Sequence, residues 1–123
     1  MTDIQHVEDV SNLVHTFYNR IREDELLGPI FNNRLENRWE EHLEKMVRFW
    51  QTILLGKQTY QGYPFHPHAT MPIGELHFSH WLKTFTQTVD DLFVGPIADE
   101  AKNRGQLMTK IFLHKIESLN QQP

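Results

Sequence analysis

Cysteine is missing from this chain of 123 residues, which removes disulfides, thiolate metal sites, iron–sulfur clusters and cysteine nucleophiles together. Long apolar runs are missing too: none exceeds three residues, against the roughly 18 or more of a membrane span. Positive charge is not in excess, since the net charge is −4; the basic face expected of a nucleic-acid binder is lacking. Neither GxGxxG nor GxxxxGK followed by Ser or Thr occurs, so no nucleotide-binding glycine loop is expected. The three serines, Ser11, Ser79 and Ser118, fall on helical patterns without a nucleophile elbow. The opening MTDIQHVEDV is polar and acidic rather than basic and then apolar, unlike a signal peptide. A cytoplasmic protein that forms one domain over residues 1–123 is the expectation.

What is present is helical period. Val7, Val10, Leu13, Val14, Phe17, Tyr18 and Ile21 recur at steps of three and four, and this first helix should end near 23–25, ahead of Gly28-Pro29. LGPIFNN then reads as a tight corner that turns Ile30 and Phe31 inward. A second helix is predicted over about 36–55, with Trp39, Leu43, Met46, Phe49, Trp50, Ile53 and Leu54 as its stripe. Glu41–Lys45 and Glu44–Arg48 are favourable i,i+4 pairs, and Gly56 suits the C-cap. A third helix carries Phe78, Trp81, Leu82, Phe85, Val89, Leu92 and Phe93. After the break at Val94-Gly95-Pro96, a fourth presents Ile97, Ala101, Met108, Ile111, Phe112 and Ile116. No alternating strand pattern and no internal repeat interrupts this order, so the fold class is all-α.

Between the second and third helices lies a segment unlike the rest. YQGYPFHPHATMPIGELHFSHW holds three of the six prolines and four of the eight histidines. His66 and His68 flank Pro67, which keeps that dipeptide extended, so their side chains point to roughly the same side. His77 and His80 are i,i+3 on the following helix. Together they suggest a non-haem metal site built from His66, His68 and His77. Against it, no inward carboxylate stands in a ligand position, and His80 faces mostly solvent. Two polar residues share apolar stripes elsewhere: Tyr18 beside Phe17 and Val14, and His42 between Trp39 and Met46. Singly, each reads as a core-edge residue with its polar tip satisfied. With Trp81 they form a set of inward donors in an aromatic shell, opposite a rigid segment offering imidazole. That layout suits haem, with one axial histidine below, donors above and apolar walls around the ring.

At this point the residues resemble a known family, the truncated haemoglobins, and within it group III. FYNRIREDELLGPIFNN is similar to its FY…LGPIF segment, and WEEHLEKMVRFWQTILLG to its W…H…FW…LLG pattern. YQGYPFHPHATMPIGELHFSHWLKTF resembles its third block, so that the likeness runs from about Phe17 to Phe85. The resemblance implies a globin-like two-over-two helical sandwich that encloses haem b, with a structured loop carrying the proximal histidine. It maps the iron ligand to His68, four residues before Pro72, with His66 and His77 as rivals. Tyr18, His42 and Trp81 become the distal groups that stabilise a diatomic ligand. Phe31, Met46, Phe49, Trp50, Met71 and Phe85 become cofactor contacts, and His77 lies near a haem propionate. Met71 stands where leucine is usual and His80 where arginine is common, which makes any salt bridge at that position weaker or pH-dependent.

The implied function is binding of O2, NO or CO at an iron able to be five-coordinate. NO detoxification or a peroxide reaction is expected rather than bulk O2 transport. Turnover would need an external reductase, because the chain carries no flavin or nicotinamide motif. A gas-binding or sensing module without turnover stays open, as does the non-haem histidine site. The chain is expected to be a monomer without nucleic-acid or membrane partners.

Overall fold

A computed structural model describes residues 1–56 and 74–120, and all regular structure among them is helical. In chain order the helices are α1 (Val7–Glu23), α2 (Leu27–Leu35), α3 (Trp39–Leu55), α4 (Glu75–Leu92) and α5 (Pro96–Asn120). Two pairs organise the molecule: α1 packs with α3, and α4 packs with α5. The pairs are stacked through α1 against α4 and α3 against α5, which is the two-over-two arrangement.

The stripes read from the sequence form the core. Val10, Leu13, Val14, Phe17, Tyr18 and Ile21 of α1 are buried, and so are Trp39, Phe49, Trp50 and Leu54 of α3. Phe78, Phe85 and Val89 of α4 join them. Each fully buried side chain of Phe17's size contributes about 1.5–3 kcal/mol relative to exposure. Two stripe members turn outward instead: Val7 is 36% and Ile111 is 42% exposed. Val7 is the first residue of α1, and Ile111 sits at the edge of its stripe, where a 100° step per residue leaves room for either face.

The corner after α1 differs from its sequence reading. LGPIFNN is a helix, α2, with Gly28-Pro29 inside its first turn. Proline is tolerated there because its missing N–H would have had no helical partner anyway. Asp24 starts the helix: its Oδ1 accepts from the backbone N–H groups of Leu26 and Leu27, both at 2.8 Å. Gly28 is needed for close approach, since a Cβ there would sit 2.6 Å from the Arg22 carbonyl oxygen. Glu36 ends α2 with φ 48, so α3 begins at Trp39 rather than at 36. At its far end α3 stops on Gly56 in the left-handed region (φ 69), the expected C-cap. The two expected ion pairs are present, Lys45–Glu41 at 3.1 Å and Arg48–Glu44 at 2.8 Å.

A contact with no signature in the sequence pattern ties the N-terminus to α5. The Asp3 carboxylate accepts from Ile97 N–H at 3.0 Å and Ala98 N–H at 2.8 Å, capping the helix from the far end of the chain. It also accepts from its neighbour Ile4, whose side chain is fully buried. Gly95 makes room: its φ is 142, and a Cβ there would come 2.5 Å from the Asp3 carboxyl carbon. Burial alone would raise the Asp3 carboxyl, but the donors on Ile97, Ala98 and Ile4 outweigh it and hold the group below the usual carboxylate range. A carboxyl depressed by folding stabilises above its unfolded pKa, and that contribution is lost as pH falls through the folded value. Asp3→Ala is therefore expected to destabilise the fold by about 0.5–2 kcal/mol at pH 7. The difference should shrink in acid, as read from urea midpoints at pH 7 and pH 3.

Candidate functional site

Where α1, α3, α4 and α5 converge they leave a small cavity of about 30 Å³. Tyr18 reaches it from α1, and Met46, Phe49 and Trp50 line it from α3. From α4 come Phe78 and Trp81, and from α5 come Met108, Thr109 and Phe112. Apart from Thr109 the polar atoms at this wall belong to a phenol and to indoles, and such groups can donate a hydrogen bond without carrying charge.

The wall is held by stacked rings. Phe85, 1% exposed, lies between Trp50 (4.9 Å between centroids, 20° between planes) and Trp81 (5.2 Å, 12°). Phe17 meets Phe85 and Trp81 edge-on, at 5.3 Å and 5.1 Å. Phe85 therefore stands behind the lining, fixing the two tryptophans rather than facing the cavity. Tyr18 follows Phe17 in the helix, so while one ring enters the stack the next turns about 100° toward the cavity. Its neighbour there is His42, whose ring meets the Tyr18 ring at 4.9 Å and 86°. The His42 Nε2 atom is shielded from solvent. Burial pushes the Tyr18 phenol far above its ordinary pKa, so it keeps its proton and can act as a donor. Phe31, 4% exposed, lies one layer back, 6.3 Å from the Tyr18 ring.

Two histidines at the start of α4, His77 and His80, are not among the residues that line this cavity. His77 Nδ1 accepts the Gly74 backbone N–H at 3.0 Å. A neutral imidazole with Nδ1 accepting carries its proton on Nε2, which leaves that nitrogen as a donor. His80 Nδ1 lies 3.6 Å from the Asp24 carboxylate, linking α4 to the start of α2. Burial works to raise the Asp24 carboxyl, but the Leu27 and Leu26 N–H groups and the His80 ring bring it below the usual range. Three residues named from the sequence, His66, His68 and Met71, lie outside the described residues. Among the described residues no group of three or more His, Cys, Asp or Glu side chains is placed to hold a metal ion.

Haem needs apolar walls, donors near its free axial position and a basic ligand below. Walls and donors are present in the described part: Met46, Phe49, Trp50 and Phe78 supply the first, Tyr18 and Trp81 the second. The donor set is neutral and protonated, as a pocket for an uncharged diatomic requires. These residues fit the group. The α5 contribution was not expected as part of the site. Periodicity marked Met108 and Phe112 as inward but not as reaching this cavity, and Thr109, 8% exposed with its hydroxyl bonded to the Gln106 carbonyl, carried no apolar signal at all.

Comparison with known proteins agrees with this geometry. The family model described as bacterial-like globin matches residues 3–116. A curated relative, the group 3 truncated hemoglobin ctb of Campylobacter jejuni, is 32% identical over 109 residues, covering 85% of this chain and 86% of the relative. The crystal structure of group III truncated hemoglobin from the same organism superposes with a TM-score of 0.84 at 30% identity, covering 94% of this chain and 95% of that one. The chain belongs to the bacterial-like globin family and has the truncated globin fold. With that membership comes the general biochemistry of globins, a haem that takes up diatomic gases.

The ring stack depends on one small residue. A Cβ on Gly105 of α5 would lie 2.9 Å from Phe85 Cδ2 and 3.1 Å from its Cε2. Because Phe85 is clamped between two indoles, it cannot swing away cheaply. Gly105→Ala is expected to cost about 1–3 kcal/mol of stability and to alter the near-UV circular dichroism of Trp50 and Trp81. An unchanged near-UV spectrum with unchanged stability would show that the stack yields freely.

Proposed function

We propose that this chain is a monomeric, cytoplasmic haem b protein that binds O2, CO or NO and carries out reactive chemistry on NO or peroxide, rather than bulk O2 transport. Haem, when bound, supplies a redox-active iron with an open position for a diatomic ligand. The observation that carries the proposal is the convergence of Tyr18 and Trp81 on one apolar cavity, with His42 against the tyrosine ring. Tyr18 and Trp81 would donate to the ligand's outer atom. In a water-poor site such fixed donors count for more than they would in water. Strong donation slows ligand escape, which suits chemistry on the ligand more than delivery.

His68 is assigned as the residue that holds the iron, with Met71 nearby and His77 toward a propionate. The Nε2 proton of His77, left free to donate by the contact with Gly74, supports the last assignment. Phe31, Met46, Phe49, Trp50 and Phe85 are assigned to the haem's apolar surroundings, the last through the tryptophans it supports. His42 would gate the cavity or pass a proton at its Nε2. Conversion of NO and O2 to nitrate consumes one electron per cycle, so an external reductase completes the proposal. Reversible gas binding without turnover shares every residue assigned above and differs only in the reaction with NO or peroxide.

Three measurements test this reading. Protein produced with sufficient haem should show an intense violet absorption band, and His68→Ala should abolish it. Loss of the band in His66→Ala or His77→Ala instead would move the iron ligand to that residue. Tyr18→Phe should speed O2 dissociation about tenfold in stopped-flow measurements, equivalent to about 1.4 kcal/mol for one lost hydrogen bond. An unchanged rate would reduce Tyr18 to packing. Rapid mixing of the oxygenated protein with NO, alongside a peroxide turnover assay, separates the enzyme from the simple gas binder.

A further inference from the structure

We propose that Trp39, pinned from outside by Asn32 and Arg22, is a positioning residue that sets the orientation of Tyr18 and His42. This rests on reading those two as the distal groups of a haem pocket. Trp39 is the first residue of α3 and is 6% exposed, and it is not among the residues lining the cavity. Its effect on a ligand must therefore pass through other side chains. The routes are short: its ring meets Tyr18 at 6.0 Å and 64°, and His42 at 6.1 Å and 84°. Tyr18 and His42 in turn meet each other at 4.9 Å and 86°. Three rings with mutually steep planes leave little freedom, because none can rotate without displacing the other two.

The outward side of Trp39 is held by polar contacts. Its Nε1–H donates to Asn32 Oδ1 at 3.1 Å, a bond that spans seven residues and closes the turn from α2 to α3. That turn contains Glu36 with its positive φ of 48, a conformation that other contacts must hold. The Arg22 guanidinium carbon lies 4.5 Å from the Trp39 ring centroid, within range of a cation–π contact. Phe31 stacks on the same indole at 6.5 Å and 27°. Ordinary core packing would need only an apolar ring at this place. Here the indole is also registered by an amide and a guanidinium, both on exposed residues whose contacts compete with water. The orientation of Tyr18 and His42 thus depends on two surface contacts that can be removed without opening the core.

The test uses the full chain in four forms: unaltered, Asn32→Ala, Asn32→Asp and Trp39→Phe. Asn32→Ala removes the acceptor, Asn32→Asp keeps an oxygen there, and Trp39→Phe keeps a ring but loses the N–H. Two readouts are taken, the ring resonances of His42 and Tyr18 by NMR and the C–O stretching band of the CO adduct by infrared spectroscopy. Asn32→Ala and Trp39→Phe should shift or broaden the two sets of ring resonances and split or shift the C–O band. Asn32→Asp should restore both. Unmoved resonances overturn the brace, and moved resonances with an unchanged C–O band overturn its role toward the ligand. If the unaltered protein never takes up haem, the haem reading falls. The resonances, which need no haem, then still decide whether Asn32 and Trp39 orient the pair.

Discussion

Phe85 is the residue on which the arrangement depends. It is almost wholly buried where α1, α3, α4 and α5 come together, sandwiched between Trp50 and Trp81 and met edge-on by Phe17. Gly105 is the concession α5 makes to it. Offset stacking and edge contacts of this kind add about 0.5–1.5 kcal/mol per pair beyond the burial itself. Their more important effect is geometric. Trp81 cannot leave the cavity wall without unstacking, and Phe17 fixes the roll of α1, which in turn aims Tyr18. Two donors from separate helix pairs are thus brought to one small space by an apolar junction of stacked rings.

Polar groups at an apolar wall need a reason. An unpartnered hydroxyl or amide costs about 1–3 kcal/mol in a protein interior, and replacing tyrosine by phenylalanine would remove that cost with little loss of packing. Tyr18 and Trp81 line one cavity and His42 meets the tyrosine ring, so polar side chains stand where apolar rings would serve packing alone. Tyr18 and Trp81 are alike in their chemistry: both are neutral donors, and burial keeps the phenol protonated. Such a set suits a ligand whose charge develops only on binding. It would serve an anion poorly, because no cation lines the cavity among the described residues.

The sequence revealed those features that depend on period and local chemistry. Helix-spaced stripes located α1, α3, α4 and α5, the Gly56 cap and both i,i+4 ion pairs, and they turned Tyr18, His42 and Trp81 inward. Long-range features were illegible for physical reasons. Asp3 caps α5 across more than ninety residues, and nothing in MTDIQHVEDV distinguishes a carboxylate that will meet a helix N-terminus from one that faces water. The α2 corner was misread because Gly28-Pro29 has opposite meanings inside a helix and in its first turn, and only Asp24's position as starter decides between them. Phe78, Met108, Thr109 and Phe112 share the cavity because of how α4 and α5 roll against α3, a property of packing and not of either stripe alone.

The two sides of the cavity differ in how firmly they are held. Trp81 belongs to a stack of aromatic rings whose other members, Phe17, Trp50 and Phe85, are buried in the core. His42 and Tyr18 lean on Trp39, whose outer edge is secured by Asn32 and Arg22 at the surface. A hydrogen bond exchanged readily with water contributes about 0.5–1.5 kcal/mol net, and a cation–π contact at an exposed site about 0.5–1 kcal/mol. Either is small beside the junction around Phe85, yet either is large enough to shift a two-state equilibrium several-fold. The α4 side therefore acts as a fixed donor wall, while the α2–α3 corner is the side at which small changes can adjust the pocket. On the proposed reading of Tyr18 and His42 as distal groups, substitution at Asn32 or Arg22 adjusts ligand escape and leaves the junction around Phe85 in place.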